Sequence, residues 1–383
     1  MGEAVEGFGK MVELICMDIS KYKRIYLLQA LLTVLNTGFV AVLYIYFFKQ
    51  HVSIAEFLLA EGLGALAVSF FIAFRGVFHV RRDMRLGFIL FGIGFAVLFL
   101  PFYKSLFFTY TILRTMGGII FFVPYNIVLF DGYNKDKSLQ AMTNYWLVGA
   151  VMGIIGPLMG TFILVQGGMV LFIGAALLFL ILGIAYAGIV PSFSYVYTPK
   201  QLFSRLDSLR TVVAVDGALH KVWAIVTIFA LLYFPTEVKY GGFLSFVSLF
   251  AMFFMIYIAK ISDVHKKRMD FIWPFSVFSA SVAVLFGFVT SAGMFVALTI
   301  VLRFFAMLVE PLRANILLDK CESNPLNWIA RELWLNIGRA AIFIAAYFII
   351  KLSEPMIVFI MCGLLHIFFP FLVQYKRIYV STH

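Results

Sequence analysis

Charged and hydrogen-bonding side chains recur in the middle of stretches that are otherwise apolar, and their spacing is helical. Arg114 shares a helical face with Gly118 and Tyr125, and Arg303 lies on one face with Glu310. Asp216 and His220 stand at i and i+4, and Glu332, Asn336 and Arg339 form another stripe. Gln29, Thr33, Asn36 and Thr37 make a polar stripe without charge, while Glu61 is a lone deep carboxylate. Ionisable groups are costly in lipid, so each should face a cavity or a partner. Two guanidiniums on one cavity, Arg114 and Arg303, favour a planar anion, carboxylate or phosphate, through forked hydrogen bonds. With Tyr125, Asn36 and Thr33 they make the candidate substrate-binding set. Glu310, or the Asp216–His220 pair, could carry a coupling proton, because burial disfavours a charged carboxylate. A structural ion pair tying helices together is the plain alternative for each, and it is the expectation for Glu332 with Arg339.

The elements that must hold these groups are membrane helices. Of the 383 residues, 63% are hydrophobic and 13% charged. Apolar runs of about 18 residues or more recur along the whole chain, each long enough to span a bilayer. Barrel strands would alternate apolar and polar residues, so a β-barrel is excluded. Twelve spans are expected, near 25–48, 54–74, 86–103, 106–130, 141–165, 168–190, 211–234, 242–260, 271–290, 293–318, 329–351 and 354–373. Twenty Lys and Arg residues fall in one set of connecting segments and only Lys49, Lys104, Lys239 and Lys351 in the alternate set. Both termini are therefore expected in the cytoplasm, and the net charge of +11 orients helices rather than marking nucleic-acid binding. The plasma, or cell inner, membrane is the expected location.

The longest connection, 191–210, carries Leu202, Phe203, Leu206 and Leu209 at helical spacing against Lys200, Arg205 and Arg210. It is expected to be a short amphipathic helix on the cytoplasmic membrane surface. It separates an N-terminal bundle, 25–190, from a C-terminal one, 211–373, with tails at 1–24 and 374–383. The halves echo each other: spans 4 and 10 each carry an arginine and end at Asp131 and Asp319, and the loops after spans 2 and 8 are both basic. Apart from Glu354 at the first position of span 12, spans 3, 6, 9 and 12 lack Asp, Glu, Lys and Arg, which suggests three-helix units whose last member faces lipid.

Span 5 holds Gly149, Gly153, Gly156, Pro157 and Gly160, with the glycines three or four residues apart on one side. A neighbouring helix can approach such a face backbone to backbone, and Pro157 lets the span bend. Cys16, Cys321 and Cys362 have no metal or redox spacing and are expected as free thiols. The acidic N-terminus, with Glu3, Glu6, Glu13 and Asp18, is not a secretory signal peptide.

Three motifs point to a family. After span 8 the chain reads Ala259, Lys260, Ile261, Ser262, Asp263, Val264, His265, Lys266, Lys267, Arg268. This resembles the Gly-x-Leu-x-Asp-x-x-Gly-Arg-Arg pattern of the major facilitator superfamily, with Asp263, Lys267 and Arg268 matching. After span 2, Arg81 and Arg82 fit its basic end, but Val77 stands where the aspartate belongs. Arg114 with Gly118 is similar to that family's helix 4 pattern, and Gly156, Pro157 and Gly160 to the helix 5 pattern of its proton antiporters. The resemblance implies an all-α membrane protein with twelve transmembrane helices in two pseudo-symmetric six-helix bundles, and helices 1, 4, 7 and 10 lining a central cavity. It implies a cytoplasmic gate in which Asp263 accepts from the helix 5 N-terminus near Thr143 and Asn144, while Lys267, Arg268, Arg81 and Arg82 bridge to carboxylates or lipid phosphates.

The function expected is secondary transport of a small solute, an organic anion or amphipathic compound, by alternating access with proton coupling. There is no Gly-x-x-x-x-Gly-Lys-Ser/Thr loop for ATP, no cofactor or metal is expected, and the partners are a small-molecule substrate, the lipid bilayer and protons. A monomer is expected. A transporter-like sensor without flux is the alternative. A membrane enzyme is less favoured, because His79, His265 and His366 stand alone without a second catalytic group.

Overall fold

The computed structural model describes residues 25–130, 138–262, 268–321 and 324–379, with the side chains of 138–144, 253–262, 268 and 318 left aside. It is helical almost throughout. The helices are α1 (Ile25–Lys49), α2 (Ile54–Arg75), α3 (Val80–Val97), α4 (Lys104–Phe130), α5 (138–167) and α6 (169–187). After a short α7 (Pro199–Ser204) come α8 (Arg210–Phe229), α9 (Glu237–Ser262) and α10 (Arg268–Leu285). The last three are α11 (Ala292–Lys320), α12 (Pro325–Leu352) and α13 (Met356–Tyr375). Nine helical stretches among the described residues are long and apolar enough to cross a bilayer. The chain is thus an integral multi-pass membrane protein.

Local chemistry explains most boundaries. Ser53 and Glu56 form a reciprocal capping box that starts α2, and Asn324 caps α12 with Pro325 in its first turn. Gly168, at φ 66°, breaks the run between α5 and α6 in a conformation that side chains with a Cβ rarely adopt. Helix α3 begins six residues earlier than expected and ends six earlier. His79 precedes it, and the Asp83 carboxylate accepts from the His79 amide at 2.7 Å, so Arg81, Arg82 and Arg85 belong to its first turns. Pro101 lies beyond its end, where a helix can no longer continue.

Two features correct the expected picture. A small antiparallel sheet pairs β1 (Val77–His79) with β2 (Ser194–Val196), which joins the α2–α3 turn to the connection after α6. The connection itself is no continuous amphipathic helix. Its helical part stops at Ser204, Leu206 takes φ 63°, and a 3-10 turn, Asp207–Leu209, follows. Leu202, Leu206 and Leu209 are buried by protein, so three of the four residues of the apolar face expected on lipid pack inward, while Phe203 is exposed.

The α1–α5 contact is set by glycine. A Cβ on Gly38 would stand 2.5 Å from the Gly156 carbonyl oxygen, and one on Gly160 2.5 Å from that of Gly38. Such distances are closed to any larger residue, so Gly156 and Gly160 form the expected close seam. Gly153 abuts Ser248 of α9 instead, and Gly149 has nothing within 4 Å of its would-be Cβ. At this seam α1 carries a π-helical turn, Leu35–Val40, which contains Gly38. The extra residue rotates Asn36 and Thr37 relative to the turns on either side, a distortion common at functional sites.

Candidate functional site

A cavity of about 390 Å³ opens among α1, α2, α4, α5, α8, α9, α11 and α12. Helices α3, α6, α10 and α13 contribute none of its lining, which agrees with the charge-poor third members read from the sequence.

On one wall three helices converge on a carboxylate. Glu61 of α2 forms an ion pair with Arg114 of α4, and the Tyr44 hydroxyl of α1 donates to the same Glu61 oxygen at 2.5 Å. Thr37 reaches the carbonyls of Thr33 at 2.8 Å and Met152 at 3.0 Å, which anchors the π-helical turn to α5. On the opposite wall Asp216 of α8 accepts from Arg313 of α11 at 2.7 Å and lies 3.9 Å from Arg331 of α12. Arg331 also donates to Glu332 at 3.1 Å, and Arg339 reaches Glu332 at 3.4 Å and Asn336 at 3.1 Å. His220 sits 3.6 Å from Asp216, too far for a hydrogen bond, and its ring meets that of Trp146 edge-on at 6.0 Å.

Lys221 lines the same space. Among the described residues it has no carboxylate partner; its ammonium lies 5.8 Å from the Phe343 ring centroid. Several buried donors on the lining also lack an acceptor among the described residues: Arg114 Nε, Arg339 Nε, Trp146 Nε1 and the Thr115 hydroxyl. Buried donors are normally satisfied, so these are groups a ligand could engage. Aromatic rings, among them Phe122, Tyr145, Trp223 and Trp328, complete the wall. The arrangement suits an anionic head with an apolar body.

The sequence-derived candidates divide. Arg114, Asn36 and His220 line the cavity, and Asp216 stands behind His220. Tyr125 is buried outside the lining and donates to Gln29 at 2.7 Å, while Gln29 donates to the Tyr145 carbonyl at 2.8 Å. Thr33 contributes only its carbonyl, to Thr37. Arg303 and Glu310 pair with each other at 3.8 Å outside the lining, with Arg303 4.2 Å over the back of Trp223. Glu332 and Arg339, read as structural, do line the cavity. Helix α11 supplies only Ala314 to the lining, and the α12 charges take the place expected of its arginine. Lys221, Arg331 and Arg313 were missed as site residues. Their signal, a basic residue inside an apolar span, was present, and for Arg313 so was Glu310 at i−3, but neither signal was read as marking these residues.

At the expected gate, Arg81 donates to the Val190 carbonyl at 2.7 Å and so ties α3 to the end of α6, while Arg82 is exposed. Asp83, six residues after Val77, pairs with Arg75 and accepts from the His79 amide at 2.7 Å. Asp263 and Lys267 lie outside the described residues, as do the side chains of Arg268, Thr143 and Asn144. At the Lys49 end of the molecule, Lys49 of α1 pairs with Glu237 of α9 at 2.6 Å. At the other end Phe130 of α4 stacks on Trp328 of α12 at 4.7 Å.

No family model matches the chain, and no curated protein matches it by sequence. Solved structures match it along almost its whole length. A POT family transporter superposes with a TM-score of 0.67 at 12% identity, covering 94% of this chain and 96% of that one. The E. coli fucose:proton symporter FucP gives 0.63 at 9% identity over 94% and 99%. FucP is also described as a Major Facilitator Superfamily transporter. The chain has the major facilitator superfamily fold. The human organic anion transporter MFSD10 shares it, with a TM-score of 0.62 at 12% identity over 92% of this chain and 99% of that one. Four of the helices that line the cavity, α1, α2, α4 and α5, precede residue 190, and four, α8, α9, α11 and α12, follow residue 209.

Proposed function

We propose that the protein is a secondary transporter that moves a small organic anion across the membrane by alternating access. In this reading twelve spans form two six-helix halves, 25–190 and 211–373, with both termini cytoplasmic, as the bias of basic residues in the connections requires. One half rocks against the other around the cavity. The Lys49–Glu237 pair and the Phe130–Trp328 stack then part in alternation, each closing one end. The observation that carries the anion reading is the lining itself: four cationic side chains, Arg114, Lys221, Arg331 and Arg339, face two carboxylates, Glu61 and Glu332. The fold alone would not choose, since its matches include a sugar symporter and a POT family transporter crystallised with a peptide conjugate, although one is an organic anion transporter.

The test uses the purified full-length protein. A thermal-shift screen should rank organic anions above sugars and cationic drugs, because a ligand of the folded state raises its melting point. The best anion should then cross proteoliposomes that contain the protein. Stabilisation by sugars or cations alone would overturn the anion reading, and anion binding without flux would make the protein a sensor.

A further inference from the structure

We propose that the cavity takes an organic anion with two negative charges and closes only around such an anion, so that the protein exchanges one anion for another. The inference rests on the transport reading above.

Among the described residues the charged lining has an excess of two cations. The layer behind it leaves this unchanged, for Asp216 is matched by Arg313 at 2.7 Å and Glu310 by Arg303 at 3.8 Å. Glu61 is taken by Arg114 and Tyr44. Glu332 is shared by Arg331 at 3.1 Å and Arg339 at 3.4 Å, so one carboxylate serves two guanidiniums. Lys221 has no carboxylate among the described residues. The excess therefore has two addresses, the Lys221 ammonium and the Arg331–Arg339 fork, and at the fork Arg339 Nε has no acceptor among the described residues.

While the cavity is open to water, that excess is screened. Closing the cavity removes the water and leaves two uncompensated cations between aromatic walls, where charge is far more costly. A dianion cancels the excess, and a monoanion cancels half of it. A proton on Glu61 or Glu332 would increase it, so proton binding cannot replace the anion on the return leg. A ligand shifts a conformational equilibrium only by its differential affinity for the two states. Here that difference comes from the charge that the closed state must neutralise. The loaded carrier crosses and the empty one does not, which makes exchange obligatory.

The test compares anions of matched body and different charge. At about pH 8 phenyl phosphate is a dianion, because the second phosphate ionisation lies near 6, whereas phenyl sulfate is a monoanion. Phthalate and benzoate make a second pair, which separates phosphate from carboxylate chemistry. Titration of the full-length protein in detergent should show each dianion binding about tenfold or more tightly than its partner, or ~1.4 kcal/mol. Lys221→Gln should abolish or reverse that preference, and Lys221→Arg should keep it. Proteoliposomes preloaded with unlabelled phenyl phosphate should take up the ³²P-labelled compound at least about tenfold faster than vesicles holding only chloride. Lys221→Gln should collapse this ratio. Equal binding of the two charges, an unchanged preference in Lys221→Gln, or equal uptake into loaded and empty vesicles would overturn the inference while leaving anion transport standing. If none of the four anions binds and a sugar or cation does, the anion reading falls with it.

Discussion

Removing Arg114 should expose how strongly the Glu61 site holds the first wall together. Glu61 is almost fully buried, with a side chain 4% exposed, and its partners are Arg114 and the Tyr44 hydroxyl. Arg114→Met keeps the volume of the stem and removes the charge, which leaves a buried carboxylate with one neutral donor. Truncating one member of a buried ion pair costs about 3–5 kcal/mol. Because the pair borders a cavity rather than solid core, the lower end, ~3 kcal/mol, is the expected value. Glu61→Met combined with Arg114→Met removes both charges, and replacing a buried pair with apolar side chains is often close to neutral. The double variant should thus be more stable than Arg114→Met alone, by about 2 kcal/mol. Tyr44→Phe removes a single hydrogen bond to a charged group and should cost ~1.5–3 kcal/mol. The assay is the inactivation half-life and apparent Tm of the purified protein in detergent, where unfolding is often irreversible and rank order is the safe readout. The predicted order is wild type, then the double variant, then Arg114→Met. A double variant less stable than Arg114→Met would refute the reasoning, since the two charges would then not be each other's principal compensation.

Four further outcomes follow from the geometry. Gly38→Val should abolish folded expression, because its side chain would overlap the Gly156 carbonyl, whereas Gly149→Ala should be neutral; monodisperse yield after purification distinguishes the two. Reversing Lys49 and Glu237 singly should weaken the closed Lys49 end by at most ~1 kcal/mol, since the pair is partly exposed, and the double swap should restore the wild-type accessibility of a reporter cysteine placed nearby. Arg303→Gln should reduce stability without changing the affinity for anions, measured by the same titration, because it packs on the outer side of Trp223. Burial pushes the Tyr197 phenol above its ordinary value, and the Tyr197 hydroxyl donates to the Ile72 carbonyl at 2.6 Å. Its stabilising contribution is therefore complete at neutral pH and is lost as pH rises beyond about 10. Tyr197→Phe should remove ~1 kcal/mol at neutral pH and flatten that alkaline decline in a thermal melt.

The helices were legible because their signals are local. An apolar run of sufficient length is a membrane helix whatever surrounds it, and the spans read from the sequence fall on helices of the structure with shifts of a few residues at most ends. The exception, α3, moved because a capping carboxylate and a short sheet lie in its approach; the Asp83–His79 bond is local, but the sheet depends on contacts with the distant 194–196 segment. The amphipathic pattern of 199–209 was equally local, but most of its apolar face found protein before lipid. Within each helix the periodicity also placed the polar side chains on definite faces, which is why Arg114, Asn36 and His220 could be named in advance.

Which faces meet was another matter. Glu61 and Arg114 are 53 residues apart and Asp216 and Arg313 are 97 apart, so no helical period connects them. Arg303 and Glu310 share a face that turns behind Trp223, while the α12 stripe turns inward. That choice is made by packing: Gly38 against Gly156 and Gly160, and a π-helical turn that rotates part of α1. Composition and period along the chain thus determined a multi-helix membrane protein with costly charges inside it. Tertiary structure decided which charges neutralise one another and which, such as Lys221, have no carboxylate partner among the described residues, because compensation is a property of distances between helices.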